Sequence, residues 1–145
     1  MIITTEELGQ TTLYPEIIDQ ITRGNDDAVK LQILAAESLA KSYLTKYDLT
    51  ALFGSETKEP THPNELVKTI VKTIASYYLV KQASPNVNIE LFREDYLDAL
   101  EILKDIRDGK NSLDVPYRID DPTTDTDESK TSVRWSSNNK RTNHF

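Results

Sequence analysis

Apolar residues recur at helical spacing along most of the chain, and residues that start or stop helices frame each run. Thr4 followed by Glu7 forms the pattern of a capping box, with Ile3 and Leu8 placed as a hydrophobic staple. This predicts a short helix over roughly residues 5–10. Pro15 suits the first position of a second short helix carrying Ile17, Ile18 and Ile21, and Gly24 stands where a left-handed cap would end it. Asn25 is a good N-cap for the next element. Val29, Ile33, Ala36, Ala40, Tyr43 and Tyr47 then follow at spacings of four, three, four, three and four. That stripe predicts an α-helix of about six turns with Lys30, Glu37 and Lys41 largely off its apolar face. Leu49, Leu52 and Phe53 make a short cluster closed by Gly54, and the polar, proline-flanked stretch from Ser55 to His62 reads as a loop.

Pro63 is placed to open a further helix with Leu66, Val67, Ile70, Val71, Ile74, Ala75, Tyr78 and Leu79 on a wide stripe. Ser84-Pro85-Asn86 ends it. Asn88 is a candidate cap for the last main helix, which carries Phe92, Tyr96, Ala99, Leu100 and Leu103 on one face and Gly109 at its end. Leu97, Ile102 and Ile106 lie off that line. The expected fold is all-α: a small bundle of about four to six helices with more apolar surface than one small core needs, so that part of it is free to face another subunit.

The pattern changes after Pro116-Tyr117. Residues 120–145 hold only Val133, Trp135 and Phe145 as sizeable apolar groups among many Thr, Ser, Asn and Asp. Ordering a chain costs roughly 1–2 kcal/mol per residue, which so few apolar groups do not offset alone. The expected organisation is therefore a helical domain over 1–119 and an extended, flexible polar arm over 120–145, disordered in the free monomer.

Composition narrows the function classes. Residues 1–119 hold 13 basic and 19 acidic side chains, and residues 120–145 hold 4 and 5. Nucleic-acid phosphates repel an acidic body of this kind, which argues against DNA binding as the main activity. Cysteine is absent, which removes disulfides, thiolate metal sites and cysteine nucleophiles together. With no long apolar run and no basic, apolar leader, the sequence reads as a soluble protein that stays inside the cell where it is made.

Convergent catalytic groups are few. The two histidines, His62 and His144, sit beside a proline in a loop and next to the C-terminus. Asp125-Thr126-Asp127-Glu128 begins like a calcium loop, but Lys130 stands where glycine is required and Ser136 where a glutamate should be. No glycine-rich phosphate cradle occurs. Glu94, Asp98, Glu101 and Asp105 form an acidic ridge interspersed with Lys104 and Arg107, the pattern of a solvated helix face. Tyr43, Tyr47, Tyr77, Tyr78 and Tyr96 read as core residues whose hydroxyls reach the domain edge. Neither an enzyme nor a metal or cofactor site is expected.

Several segments resemble the gene-product-36 family of Mu-like phages, small helical proteins encoded in the head–tail region of phage and prophage genomes. These are Ile2-Ile3-Thr4 before the first cap, Ser42-Tyr43-Leu44-Thr45-Lys46-Tyr47-Asp48-Leu49, Leu66-Val67-Lys68-Thr69-Ile70 and Ile74-Ala75-Ser76-Tyr77-Tyr78-Leu79. The close, Trp135 to Phe145 with its Lys140-Arg141-Thr142-Asn143-His144-Phe145 ending, is similar to the tail of the branch carried by gut Bacteroidetes. The resemblance implies a structural role: a neck, or head-completion, connector that assembles as a ring below the portal. Its expected partners are further copies of itself, the portal and tail-side connector proteins, with DNA only passing through the channel and no membrane contact. It would lie in the virion neck, and in the host cytoplasm before assembly. The residues expected to meet neighbours are Tyr43, Tyr47, Tyr77 and Tyr78 on the body and Trp135, Lys140, Arg141 and Phe145 on the arm. A small non-catalytic adaptor binding one phage or host protein is the rival reading.

Overall fold

The computed structural model describes residues 1–10, 13–82 and 88–119, which form six helices. In the first, α1 (Thr5–Leu8), the Thr4 hydroxyl accepts from the Glu7 amide and the Glu7 carboxylate accepts from the Thr4 amide, closing the capping box the sequence predicts. Ile3 and Leu8, the staple pair, are both fully buried. Pro15 opens α2 (Pro15–Thr22) at its first position. The left-handed cap of α2 falls on Arg23, with φ of 55°, and Gly24 follows it at φ of 70°.

The Asn25 side chain accepts from the amides of Asp27 and Ala28 and starts α3 (Asp26–Tyr43) as the sequence indicates. Here the stripe misleads at its end. The helix stops at Tyr43, one turn early, because Leu44 leaves the helical region and both Leu44 and Tyr47 turn into the core. The break frees Asp48 to cap α4 (Leu49–Phe53) through the amides of Thr50 and Ala51, worth about 1 kcal/mol that a continuous helix would forgo.

Asn64 rather than Pro63 starts α5 (Glu65–Val80), accepting from the amides of Leu66 and Val67. Asn88 precedes α6 (Ile89–Arg107) without a side-chain capping bond, and Gly109 sits just past its end at φ of 81°. The Ser84–Asn86 stop lies outside the described residues.

Three long helices form the body. α5 packs between α3 and α6, α6 also reaches α3, and α1 and α2 lie against α3 and α5. The core they enclose includes Ile33, Ala36 and Ala40 from α3, Val67, Val71, Ile74 and Leu79 from α5, and Leu103 and Ile106 from α6. Ile106, off the expected line of α6, is therefore a core residue, while Leu97 is half exposed. Past Gly109 the chain doubles back. Leu113 and Val115 enter the core, the Asp48 amide donates to the Pro116 carbonyl at 2.9 Å, and the Arg118 amide donates to the Lys46 carbonyl at 3.0 Å. This single antiparallel bridge between Tyr47 and Tyr117 is the only extended pairing among the described residues. It holds the last described residues against the turn between α3 and α4.

Candidate subunit interface

The four body tyrosines meet different fates. Tyr43, at the last position of α3, is half-buried, and the Arg107 guanidinium lies 5.6 Å from its ring centre. Tyr47 is wholly buried. Its hydroxyl accepts from the Leu113 amide at 3.0 Å, and its ring stacks on Tyr117 with centres 5.1 Å apart. Tyr47 thus belongs to the chain's own closure, as its place on the stripe indicates, and its side chain presents no surface to the neighbour it was also expected to meet.

Tyr77 and Tyr78 form a half-buried cluster with Tyr96 of α6, the Tyr77 and Tyr96 rings stacking at 4.5 Å. Burial raises the Tyr78 hydroxyl above its ordinary pKa, and the charge of and hydrogen bond with Tyr96 reinforce the shift. Lys81 stands 5.6 Å from the Tyr77 ring centre, so this corner combines aromatic surface with a cation. Trp135, Lys140, Arg141 and Phe145 lie outside the described residues, as do His144 and the Asp125–Glu128 stretch.

The seam between α5 and α6 holds a surface the sequence reading did not single out. A hollow of about 200 Å³ is lined by Leu66, Ile70, Ala99 and Ile102, with Thr69, Thr73, Asp95 and Asp98 on its rim. Leu66, assigned by pattern to the core stripe, is 44% exposed here. Leu91 (56% exposed), Asp95, Asp98 and Ile102 follow one another along α6 at spacings of four, three and four, so Leu91 continues the same line one turn further. A second hollow, of about 300 Å³, lies among α1, α2 and the start of α3, with Glu6, Asp19 and Asp26 around a floor that includes Pro15, Ile18 and Val29.

His62 is exposed, its ring 3.1 Å from the Thr61 hydroxyl and its amide bonded to the Ala51 carbonyl. Among the described residues, no group of three or more His, Cys, Asp or Glu is arranged to hold a metal ion. None of the described helices is long and apolar enough to cross a membrane.

What the geometry offers, among the described residues, is surface for contact on a six-helix body. The family model for bacteriophage Mu Gp36 matches residues 3–132. The chain belongs to the Mu Gp36 family. No curated protein and no solved structure matches it.

One buried group of this Gp36-family protein escaped the pattern reading. Glu37, expected off the apolar face of α3, is only 2% exposed. Its Oε1 accepts from the Ile2 amide, and its Oε2 lies 3.5 Å from Lys41, whose ammonium also stands over the Phe53 ring. Periodicity could not reveal this, because the partner is a main-chain amide 35 residues away. The bond ties the N-terminal segment to α3. Glu37→Ala would leave a buried amide without an acceptor and should destabilise the protein by about 1–3 kcal/mol. Glu37→Gln keeps an acceptor oxygen and should lose less. Urea unfolding of the two variants checks the order, and equal losses would show that the charge, not the bond to Ile2, is what matters.

Proposed function

We propose that this phage protein is a head–tail connector subunit that assembles as a ring below the portal and performs no catalytic step. Membership of the Mu Gp36 family supports a phage role, and the apolar surface left open on the body supports assembly. Leu31 and Leu34 on α3, Leu66 on α5, and Leu91 and Leu97 on α6 are each between 44% and 63% exposed, on three separate helices. Such distributed exposure suits packing between like subunits, where one helical body meets another on two sides.

In this reading the Tyr43 and Tyr77/Tyr78 regions lie at or near subunit contacts. The arm docks through Trp135 and Phe145 as apolar anchors, and Lys140 and Arg141 choose an acidic surface. The acidic body would keep passing DNA from adhering if it lined the channel. A chain ending at residue 129 should keep the helical circular dichroism of the full chain, yet fail to form a ring complex when mixed with the portal protein. Electron microscopy and mass measurement of the mixture decide the matter. Rings formed as well without residues 130–145 would remove the arm from assembly, and a defined one-to-one complex in place of a ring would favour an adaptor.

A further inference from the structure

We propose that the hollow between α5 and α6 is the receptor for the basic, tryptophan-bearing segment Val133–Arg141, and that in the free protein each chain's hollow takes its own segment. The inference rests on the reading of residues 120–145 as a docking arm, but not on ring formation.

Chemistry matches the two sides. The hollow offers an apolar floor of Leu66, Ile70, Ala99 and Ile102 beside the carboxylates of Asp95 and Asp98, which enter no ion pair or side-chain hydrogen bond among the described residues. Residues 129–145 hold Lys130, Arg134, Lys140 and Arg141 and no Asp or Glu, with Val133, Trp135 and Phe145 as sizeable apolar groups. An indole flanked by a guanidinium is the shape and charge that a small apolar hollow with an acidic rim accepts. The larger hollow near α1 fits less well. Its lining is more polar, so seating an indole there would take more polar surface out of water for the same apolar gain.

Reach selects the chain's own segment. The Arg118 amide is bonded to Lys46, and the Lys46 ammonium to the Ile106 carbonyl, so the chain leaves the domain beside the C-terminal end of α6. Along α6, Ile102 and Asp95 lie only about 6 Å and about 16 Å from Ile106. The 13 residues from 120 to 132 span about 20 Å as a polar coil. A linker whose typical length matches its span gives the highest effective concentration, so the chain's own segment outcompetes that of another copy in dilute solution. During assembly a neighbour's segment would take the same seat by exchange, the route by which identical contacts pass between copies.

Trp135 is the sole tryptophan, so its fluorescence reports on this segment alone. In the full chain its emission should be blue-shifted, and acrylamide should quench it several-fold less than in a peptide of residues 130–145, independently of protein concentration. Asp95→Lys with Asp98→Lys, two exposed rim positions, should bring quenching to the level of the peptide with the helical circular dichroism unchanged. Adding Lys140→Glu and Arg141→Glu to that pair should restore part of the protection. Wild-type Trp135 quenched as freely as the peptide, or protection untouched by the Asp95/Asp98 pair, overturns the proposal. Protection that vanishes on dilution places the segment on a second copy and overturns docking within one chain. Ring formation is scored separately by electron microscopy, so loss of rings with Trp135 still protected would count against the connector reading and not against this one.

Discussion

Replacing Gly54 with alanine should destabilise the protein by about 3 kcal/mol or more, the largest loss expected from any single added methyl group. Gly54 follows α4 with φ of 75° and ψ of −170°, a region that side chains other than hydrogen enter only under strain of about 1–3 kcal/mol. Strain is half of the effect. A Cβ at this position would stand 2.6 Å from the Lys58 carbonyl oxygen and 2.9 Å from the Pro60 nitrogen, both backbone atoms that cannot swing aside. The loop is fastened on each side of that contact, by the Ser55 amide on the Lys58 carbonyl at 2.8 Å and the His62 amide on the Ala51 carbonyl at 2.9 Å. Relief of the clash would therefore break bonds that hold α4 to the start of α5. Gly24 and Gly109 provide the comparison. They also have positive φ, but an added Cβ meets nothing within 4 Å, so alanine there should cost only about 1–2 kcal/mol. Thermal unfolding of the three variants checks the ranking. Equal losses at all three positions would show that close approach contributes nothing at Gly54.

Local signals made the starts of elements readable. Thr4 with Glu7, Pro15, Asn25 and Gly54 each act where short-range rules place them, because a cap answers to the few amides next to it. The wide stripe of α5 and most of that of α6 likewise became core. Where the sequence misled, a distant partner had intervened. Nothing near Glu37 reveals that the Ile2 amide will bury it, and nothing near Tyr47 reveals that Leu113 and Tyr117 will draw it out of the helical line. Leu66 failed in the opposite sense. It has the spacing of a core residue but sits in the first turn of α5, beside the hollow in the seam with α6. The candidate interface was accordingly legible as a surplus of apolar residues, without the seam that gathers them. Reading that seam requires knowing that α5 faces α6 with Leu66, Ile70 and Thr73 set against Asp95, Ala99 and Ile102. Such pairing depends on how two helices cross, which no single helix records.

Tyr47 carries the other large effect, because it joins the helical body to the strap of residues 113–118. Tyr47→Ala should cost about 3–5 kcal/mol, since it empties a fully buried aromatic site and removes the acceptor of a buried amide together. Tyr47→Phe separates the two contributions. The ring and its stack on Tyr117 persist, but the Leu113 amide loses its partner, a loss of about 1–3 kcal/mol. The two variants should also differ in where the damage falls. With phenylalanine, the bonds of Asp48 to Pro116 and of Arg118 to Lys46 remain geometrically available, so exchange of the Asp48 and Arg118 amides should quicken only modestly. With alanine the stack that braces the bridge is gone, and those amides should exchange at rates near those of an open loop while the α5 core stays protected. Hydrogen exchange measured amide by amide distinguishes local release from global weakening. Release confined to Asp48 and residues 113–118 would show that Tyr47 anchors this strap separately from the bundle. If the α5 amides instead lost protection in step with Asp48 and Arg118, the strap and the bundle would be one cooperative unit, and Tyr47 would act as a core residue with no separate anchoring role.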